Sequence, residues 1–320
     1  LVSGVTVSLG RKTSSYRQWF ESLKEYGQSS VLSDQKEYWD KAVKNYSPLP
    51  VDRENSEVVY IQDTSHHIVR LGLEQTRLLL QEVPGIYHTE INDILLCALA
   101  VTLGKWSGGE NVMIGLEGHG REHISESIDT SRTVGWFTSL FPVSLKVDVE
   151  KKTGDWIKSV KEQLRQVPDK GLGYGVLKYI TKETALQGTY PWDIVFNYLG
   201  QLDNIVKESK WFGGAAESGG TAISEKQELR EKLSVNCFIG SGELVLNWRY
   251  SSIHYKPETI EKIASEYISN LSELINHCMQ QQKGGNSFYT PSDYGLGKEI
   301  SYEELDQFLE EESDENIMSF

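Results

Sequence analysis

The sequence predicts a mixed α/β fold. Segments with apolar residues at helical spacing alternate with short β-branched runs along most of the chain. A Gly240-Ser241-Gly242 turn joins two of those runs as a hairpin. With 38% hydrophobic and 10% aromatic residues among 320, the chain can fill one large core or two moderate ones.

The elements follow in order. Residues 16–26 and 34–45 read as amphipathic helices, the second opening with Asp34 and Glu37 placed as a capping box. Ser47-Pro48-Leu49-Pro50 stops that pattern, because neither proline continues a helix. Strands are expected at 57–62 and 66–71, helices near 74–82 and at 90–105, and a strand at 111–116 running into Glu117. Next come strand 141–147, helix 153–166, strand 193–198, the hairpin of 233–239 with 243–250, and a long helix at 257–282. Beyond it, 284–320 is rich in Gly, Ser, Asp and Glu, with one or two helical turns at 301–310, and reads as an acidic linker. The chain therefore divides at 1–47, 48–283 and 284–320. It starts at Leu1 and stops within an acidic tract, the pattern of an excerpt from a longer chain.

Asp plus Glu number 46 against 32 Lys plus Arg, a net charge of -14 that argues against nucleic acid or an anionic membrane as the main partner. Cys97, Cys237 and Cys278 are far apart and form no Cys-x-x-Cys pair, which fits a reducing cytoplasm. No apolar run reaches the length of a membrane span.

Glu117 stands where a strand ends and glycines at 118 and 120 begin, a context that aims a carboxylate into a cleft. Partial burial raises a carboxyl group from about 4.3 towards neutrality, where it serves as general base and then acid. An ion pair with Arg121 or Arg132 at a strand end explains the same pattern.

Glu117 to Glu122 (EGHGRE) followed by 132–142 (RTVGWFTSLFP) resembles the motif pair that separates epimerization domains of nonribosomal peptide synthetases from condensation domains. Gln18-Trp19-Phe20 resembles the early QWF motif, and Asp93 to Ala98 the D-x-L-L-x-A helix. Pro168 to Gly175 is similar to the glycine-rich loop, Phe196 to Asp203 to FNYLGQ, and Thr290-Pro291-Ser292-Asp293 to the exit segment. The likeness runs over about 16–293. It implies a two-lobed fold like chloramphenicol acetyltransferase, with the second lobe essentially complete and the first partly present, lining a channel.

The implied reaction is L-to-D inversion at Cα of an aminoacyl or peptidyl thioester on a carrier's phosphopantetheine arm, with no cofactor of the domain's own. The implied partners are an upstream peptidyl carrier domain and neighbouring synthetase modules. Glu117 resembles the catalytic carboxylate. Asn197 and Tyr198 fall on FNYLG as hydrogen-bonding groups for the thioester or enolate oxygen, and a structural role, for the tyrosine a buried hydroxyl needing a partner, explains each equally. His119, Arg121 and Trp136 are the expected channel residues. Condensation on the same fold, or carrier docking without catalysis, are the competing readings.

His66-His67 invites comparison with the family's HHxxxDG motif, but Leu71 stands where the aspartate belongs, and the pair follows the QWF helix instead of preceding it. The motif is expected upstream of Leu1, so that the 320 residues alone are expected to be inactive. His119 and His123 lack a third ligand, and no metal is expected. Gly171-x-Gly173-x-Gly175 matches neither dinucleotide nor phosphate loops, and no G-x-S-x-G occurs.

Overall fold

A computed structural model describes residues 10–188, 190–202, 217, 219–297 and 299–317, with side chains as far as Leu309 in the last helix. Asp203, the end of the FNYLGQLD match, lies outside the described residues. The chain forms two compact units. One comprises residues 1–43, 117–141 and 168–189, the other 44–116, 142–167 and 190–320.

The first unit opens with helix α1 (Tyr16–Tyr26). Its start is set by a reciprocal cap: Gln18 donates its N–H to Ser15 Oγ at 3.2 Å, and its side-chain oxygen accepts the Ser15 N–H at 2.8 Å. Gln18 of the QWF motif is thus a helix cap, while Trp19 is buried. Helix α2 (Lys36–Lys44) does not start on the expected Asp34–Glu37 box. Asp34 instead ends a preceding turn, Ser30–Ser33, in right-handed helical geometry, because Ser29 already caps that turn. The fully buried Trp39 ring packs 5.4 Å from Tyr174 and 6.3 Å from Phe141.

The second unit is built on a mixed sheet. Its strands are β1 (Thr64–Leu71), β2 (Asn111–Gly118), β3 (Ser139–Lys146), β4 (Ile194–Gln201), β5 (Leu233–Gly240) and β6 (Glu243–Ser251), in the order β1-β6-β5-β4-β2-β3. β2 carries the chain into the first unit at Glu117, and β3 returns it at Pro142. The β5–β6 hairpin turns on Ser241 (φ 54°) and Gly242 (φ 81°), two positive φ angles in succession that match the twist of the strands. The strand expected at 57–62 is instead a single bridge at Tyr60 and a 3₁₀ turn, Ile61–Asp63. There the Asp63 carboxylate accepts the Tyr60 N–H at 2.9 Å, a local bond that diverts the chain from the ladder.

Side chains alternate between the faces of such a sheet. Leu233, Val235, Cys237 and Ile239 of β5, with Leu244, Leu246 and Trp248 of β6, are buried on one face. This face meets the long helix α6 (Pro257–Lys283), whose Tyr267 ring lies edge-on to Trp248 at 5.8 Å. Tyr267 donates to the Leu95 carbonyl at 3.2 Å in helix α4 (Ile91–Ser107), which follows α3 (Leu73–Gln81). Helix α4 is buried from Asp93 to Gly104, so its apolar run is core. No single helix among the described residues is long and apolar enough to cross a membrane.

Asp93 of the D-x-L-L-x-A motif accepts the Glu90 N–H at 2.7 Å and a two-pronged contact from Arg165 at 3.0 and 2.7 Å, joining α4 to α5 (Thr153–Arg165). Its aspartate is architectural. The stretch beyond α6, expected as a linker, packs on α5. Lys161, 1% exposed, donates to Asp293 at 2.6 Å and to the Tyr87 carbonyl at 2.9 Å. Lys158 meets Asp306 of the last helix, α7 (Tyr302–Ile317), at 2.6 Å. An acidic segment is thus tethered by lysines that its composition alone does not reveal.

Burial raises the Asp293 carboxyl pKa, but the Lys161 ammonium and the Thr290 N–H outweigh it and hold the group below its usual value. The resulting stability is present above the ordinary carboxylate range and is lost as pH falls through the depressed value. Asp293→Asn leaves Lys161 buried without its counter-charge, and with Asp293 itself 19% exposed we expect the low end of such a loss, about 3 kcal/mol. Faster hydrogen exchange over 288–309 at neutral pH is the readout; unchanged exchange contradicts the tether.

Candidate functional site

The site residues divide between the two units. In the first, Glu117 is the half-buried penultimate residue of β2, and Gly118 and Gly120 follow with His119 between them. Gly120 has φ +65°, and a Cβ there would lie 1.7 Å from the Phe137 carbonyl oxygen. A Cβ on Gly118 would lie 2.9 Å from Ser139 Oγ. Only glycine allows the chain leaving β2 to press against the chain entering β3. EGHGRE and RTVGWFTSLFP are consequently the two sides of one closed loop.

Arg121 fastens that loop. Its guanidinium donates to the carbonyls of Thr130 and Thr133, the latter at 2.9 Å, and its plane lies 3.8 Å over the Phe137 ring. Phe137 packs in turn on Trp19 and Tyr16 of α1 at 6.0 and 4.9 Å between ring centres. Tyr16 donates to the Trp136 carbonyl at 2.9 Å. His119 is largely exposed, accepts the Arg121 N–H on Nδ1 at 3.0 Å and places Nε2 3.1 Å from Glu122. Trp136 and Val134 are 81% and 98% exposed. The three expected channel residues thus have distinct settings: Arg121 is engaged within the loop, while His119 and Trp136 present surface.

The glycine-rich loop joins the same unit. Asp169 and Lys170 both have positive φ, 42° and 49°, and Gly171 has φ +86°, where a Cβ would collide with the Phe141 ring at 2.1 Å. Tyr26 and Gln35 both donate to the Asp169 carboxylate, the latter at 2.7 Å. This polar knot, which keeps the turn in left-handed geometry, has no local sequence signature, since its members lie 134 and 143 positions from Asp169.

In the second unit, β4 carries Asn197 and Tyr198, both half-buried. β4 pairs in parallel with β2 through Leu116↔Phe196. Strand alternation puts Asn197 and Tyr198 on opposite faces. Tyr198 pairs with Cys237 on the helix-covered face, and burial raises its phenol pKa, so it stays protonated at neutral pH. Asn197 pairs with Asn236 on the other face. Among the described residues, no three His, Cys, Asp or Glu side chains gather as metal ligands. A 480 Å³ cavity in the second unit, lined by Lys151, Trp156, Glu162 and Tyr302, includes none of the candidate residues.

The condensation-domain family matches residues 1–289. The chain belongs to that family, and its relatives are nonribosomal peptide synthetase subunits. It is 40% identical to a subunit of the linear gramicidin synthase of Brevibacillus parabrevis over 99% of its own length and 4% of the relative's. It is 41% identical to surfactin synthase subunit 2 of Bacillus subtilis (strain 168), over 89% of its length and 8% of the relative's. Among solved structures, the epimerization domain from the third module of tyrocidine synthetase B superimposes with a TM-score of 0.78 at 33% identity, covering 88% of this chain and 63% of that one. A cyclization-docking bidomain from Sorangium cellulosum shares the fold, with a TM-score of 0.60 at 16% identity over 85% of this chain and 54% of that one. The chain therefore spans a small part of these synthetases and under two thirds of that epimerization domain.

Arg121→Lys keeps the charge but cannot bridge two carbonyls while stacking on Phe137. We expect it to cost about 1–2 kcal/mol locally and to speed amide exchange across 119–135. Exchange matching the wild type would show that the arginine does not hold the loop.

Proposed function

We propose that this chain supplies the catalytic carboxylate for L-to-D epimerization of an aminoacyl or peptidyl thioester during nonribosomal peptide synthesis. The observation that carries this reading is the closed loop itself. The motif pair that resembles epimerization domains forms one structure, and Glu117 stands at its root where β2 leaves the sheet.

The substrate arrives on the phosphopantetheine arm of an upstream carrier domain in the cytoplasm, within a larger synthetase. Its thioester carbonyl acidifies the Cα–H bond. Glu117 takes that proton, and the bonding pair moves into the carbonyl to give an enolate. The family resemblance gives Asn197 the role of a hydrogen-bonding group for the enolate oxygen, where a preorganised donor stabilises growing charge. Inversion requires a proton returned to the opposite face from a second acid, a role that the family resemblance gives to the second histidine of HHxxxDG. Tyr198, protonated and on the helix-covered side of β4, is assigned to holding that strand end in place. His119 and Trp136 are the groups available at the loop surface to border the channel.

Glu117→Gln in the complete synthetase is expected to lower the rate of D-isomer formation by about 10² to 10⁴, read as D/L ratios by chiral chromatography after loading an L-aminoacyl carrier. A variant that inverts at the wild-type rate would remove Glu117 from the chemistry. Tyr198→Phe should retain more than about a tenth of the rate, since it lacks only a neutral hydroxyl. A loss as large as that of Glu117→Gln would place the phenol in the proton-transfer step.

Condensation is the second reading, favoured by the family that matches the chain. It predicts amide formation when the loaded carrier meets an aminoacyl acceptor, with the donor's configuration unchanged.

A further inference from the structure

In the first unit, the turn that follows Pro168 is held in a conformation that its residues disfavour. Asp169 (φ 42°, ψ 38°) and Lys170 (φ 49°, ψ 35°) are left-handed in succession, a state in which each Cβ crowds the following carbonyl oxygen. Aspartate enters that region occasionally, because its short polar side chain can bond locally, whereas lysine has no such compensation. Geometry of this kind persists only where the surroundings impose it, and it gathers at functional sites.

What imposes it is a closed circuit of contacts. The Asp169 carboxylate accepts the Tyr26 hydroxyl and the Gln35 amide, the latter at 2.7 Å. Gln35, 7% exposed, also donates to the Tyr26 oxygen at 2.9 Å and accepts from Trp39 Nε1 at 3.3 Å. An indole nitrogen only donates, so the carboxamide is fixed with its NH₂ towards Asp169. Trp39 packs edge-on against Phe141 at 6.3 Å, and the Phe141 ring fills the space that a side chain at 171 would need. From Gly171 the backbone runs back to Asp169. Burial and the Asp169 charge raise the Tyr26 phenol pKa, which keeps it a donor at neutral pH.

Glu117 adjoins this circuit. The next residue, Gly118, occupies a slot walled by Ser139 Oγ, the Phe141 ring and the Lys170 carbonyl oxygen. They lie 2.9, 3.3 and 3.7 Å from the point where a Cβ would stand. Two of the three walls, Phe141 and Lys170, belong to the circuit. In ordinary right-handed or extended geometry Lys170 would aim its carbonyl elsewhere, and the slot would open on that side.

We propose that Asp169 is a positioning residue for Glu117: it holds 169–171 left-handed, and the turn so held fixes the Gly118 backbone and the line along which the Glu117 carboxylate leaves β2. This rests on the proton-transfer role given to Glu117 above. The Asp169 carboxylate is engaged by Tyr26 and Gln35, so it acts through the backbone and not on the substrate.

Asp169→Ala and Asp169→Gly in the complete synthetase separate the clamp from the carboxylate. Both lack the carboxylate, but glycine enters left-handed geometry without steric cost. Inversion of a saturating L-aminoacyl carrier should slow about tenfold to a hundredfold in Asp169→Ala, the effect of a misplaced reacting group, in kcat and not in KM. Asp169→Gly should recover the rate to within about threefold of wild type, since the turn keeps its geometry. A wild-type rate in Asp169→Ala, or a glycine variant as slow as the alanine one, overturns the assignment. Amide exchange across 117–120 gives a reading that needs no turnover. It should speed up in Asp169→Ala and match the wild type in Asp169→Gly; unchanged exchange in the alanine variant contradicts the proposal. Faster exchange over the whole of 16–44 in both variants would make Asp169 a folding residue and contradict it too. A wild-type synthetase that does not invert its substrate rejects the epimerase reading, while the exchange pattern still decides whether Asp169 holds the turn against Gly118.

Discussion

Where β2 leaves the sheet, the backbone at Gly120 passes so close to the Phe137 carbonyl that no side chain fits between them. That single approach sets the geometry of everything around Glu117. It brings the 118–122 and 133–139 segments together, which allows Arg121 to reach two carbonyls and lie flat on Phe137. Phe137 then packs on Trp19, whose helix is started by Gln18. Three separated motifs are one assembly because a glycine with φ +65° removes the obstacle.

Most residues of the motifs turn out to build rather than react. Gln18 caps a helix, Asp93 joins α4 to α5, Arg121 closes a loop and Asp293 neutralises a buried lysine. Each is a polar or charged side chain that hydrogen-bonds to another part of the protein. Asn247 lies on the sheet face turned away from α6, where its Oδ1 meets His66 Nδ1 at 3.0 Å.

Elements governed by local spacing were legible in the sequence. Helix α1 appears at its expected bounds, the core helix α4 within two residues, and the hairpin turns where Ser241-Gly242 dictates. Local competition undid two expectations: Asp63 captured the Tyr60 N–H and turned a strand into a 3₁₀ turn, and Ser29 claimed the cap that Asp34 was expected to supply. Long-range features left no local trace. The pairing of Asn197 with Asn236 depends on the register of β4 and β5, and the tether of 288–309 depends on a lysine about 130 positions away. The Glu117 motif could be read because its residues are adjacent. The opposite facing of Asn197 and Tyr198 follows from strand parity once β4 is known to run straight through both.

The claim that this member of the condensation-domain family acts through Cα proton transfer is tested most directly by isotope exchange. An L-aminoacyl carrier is loaded in D₂O with the complete synthetase, without any acceptor amine, and deuterium at Cα is followed by mass spectrometry alongside Glu117→Gln. Cα proton transfer by Glu117 predicts deuterium entering Cα with wild-type protein and falling by about 10² or more in the variant. Undeuterated substrate that becomes amide once an acceptor is supplied would contradict it and make the domain a condensing one.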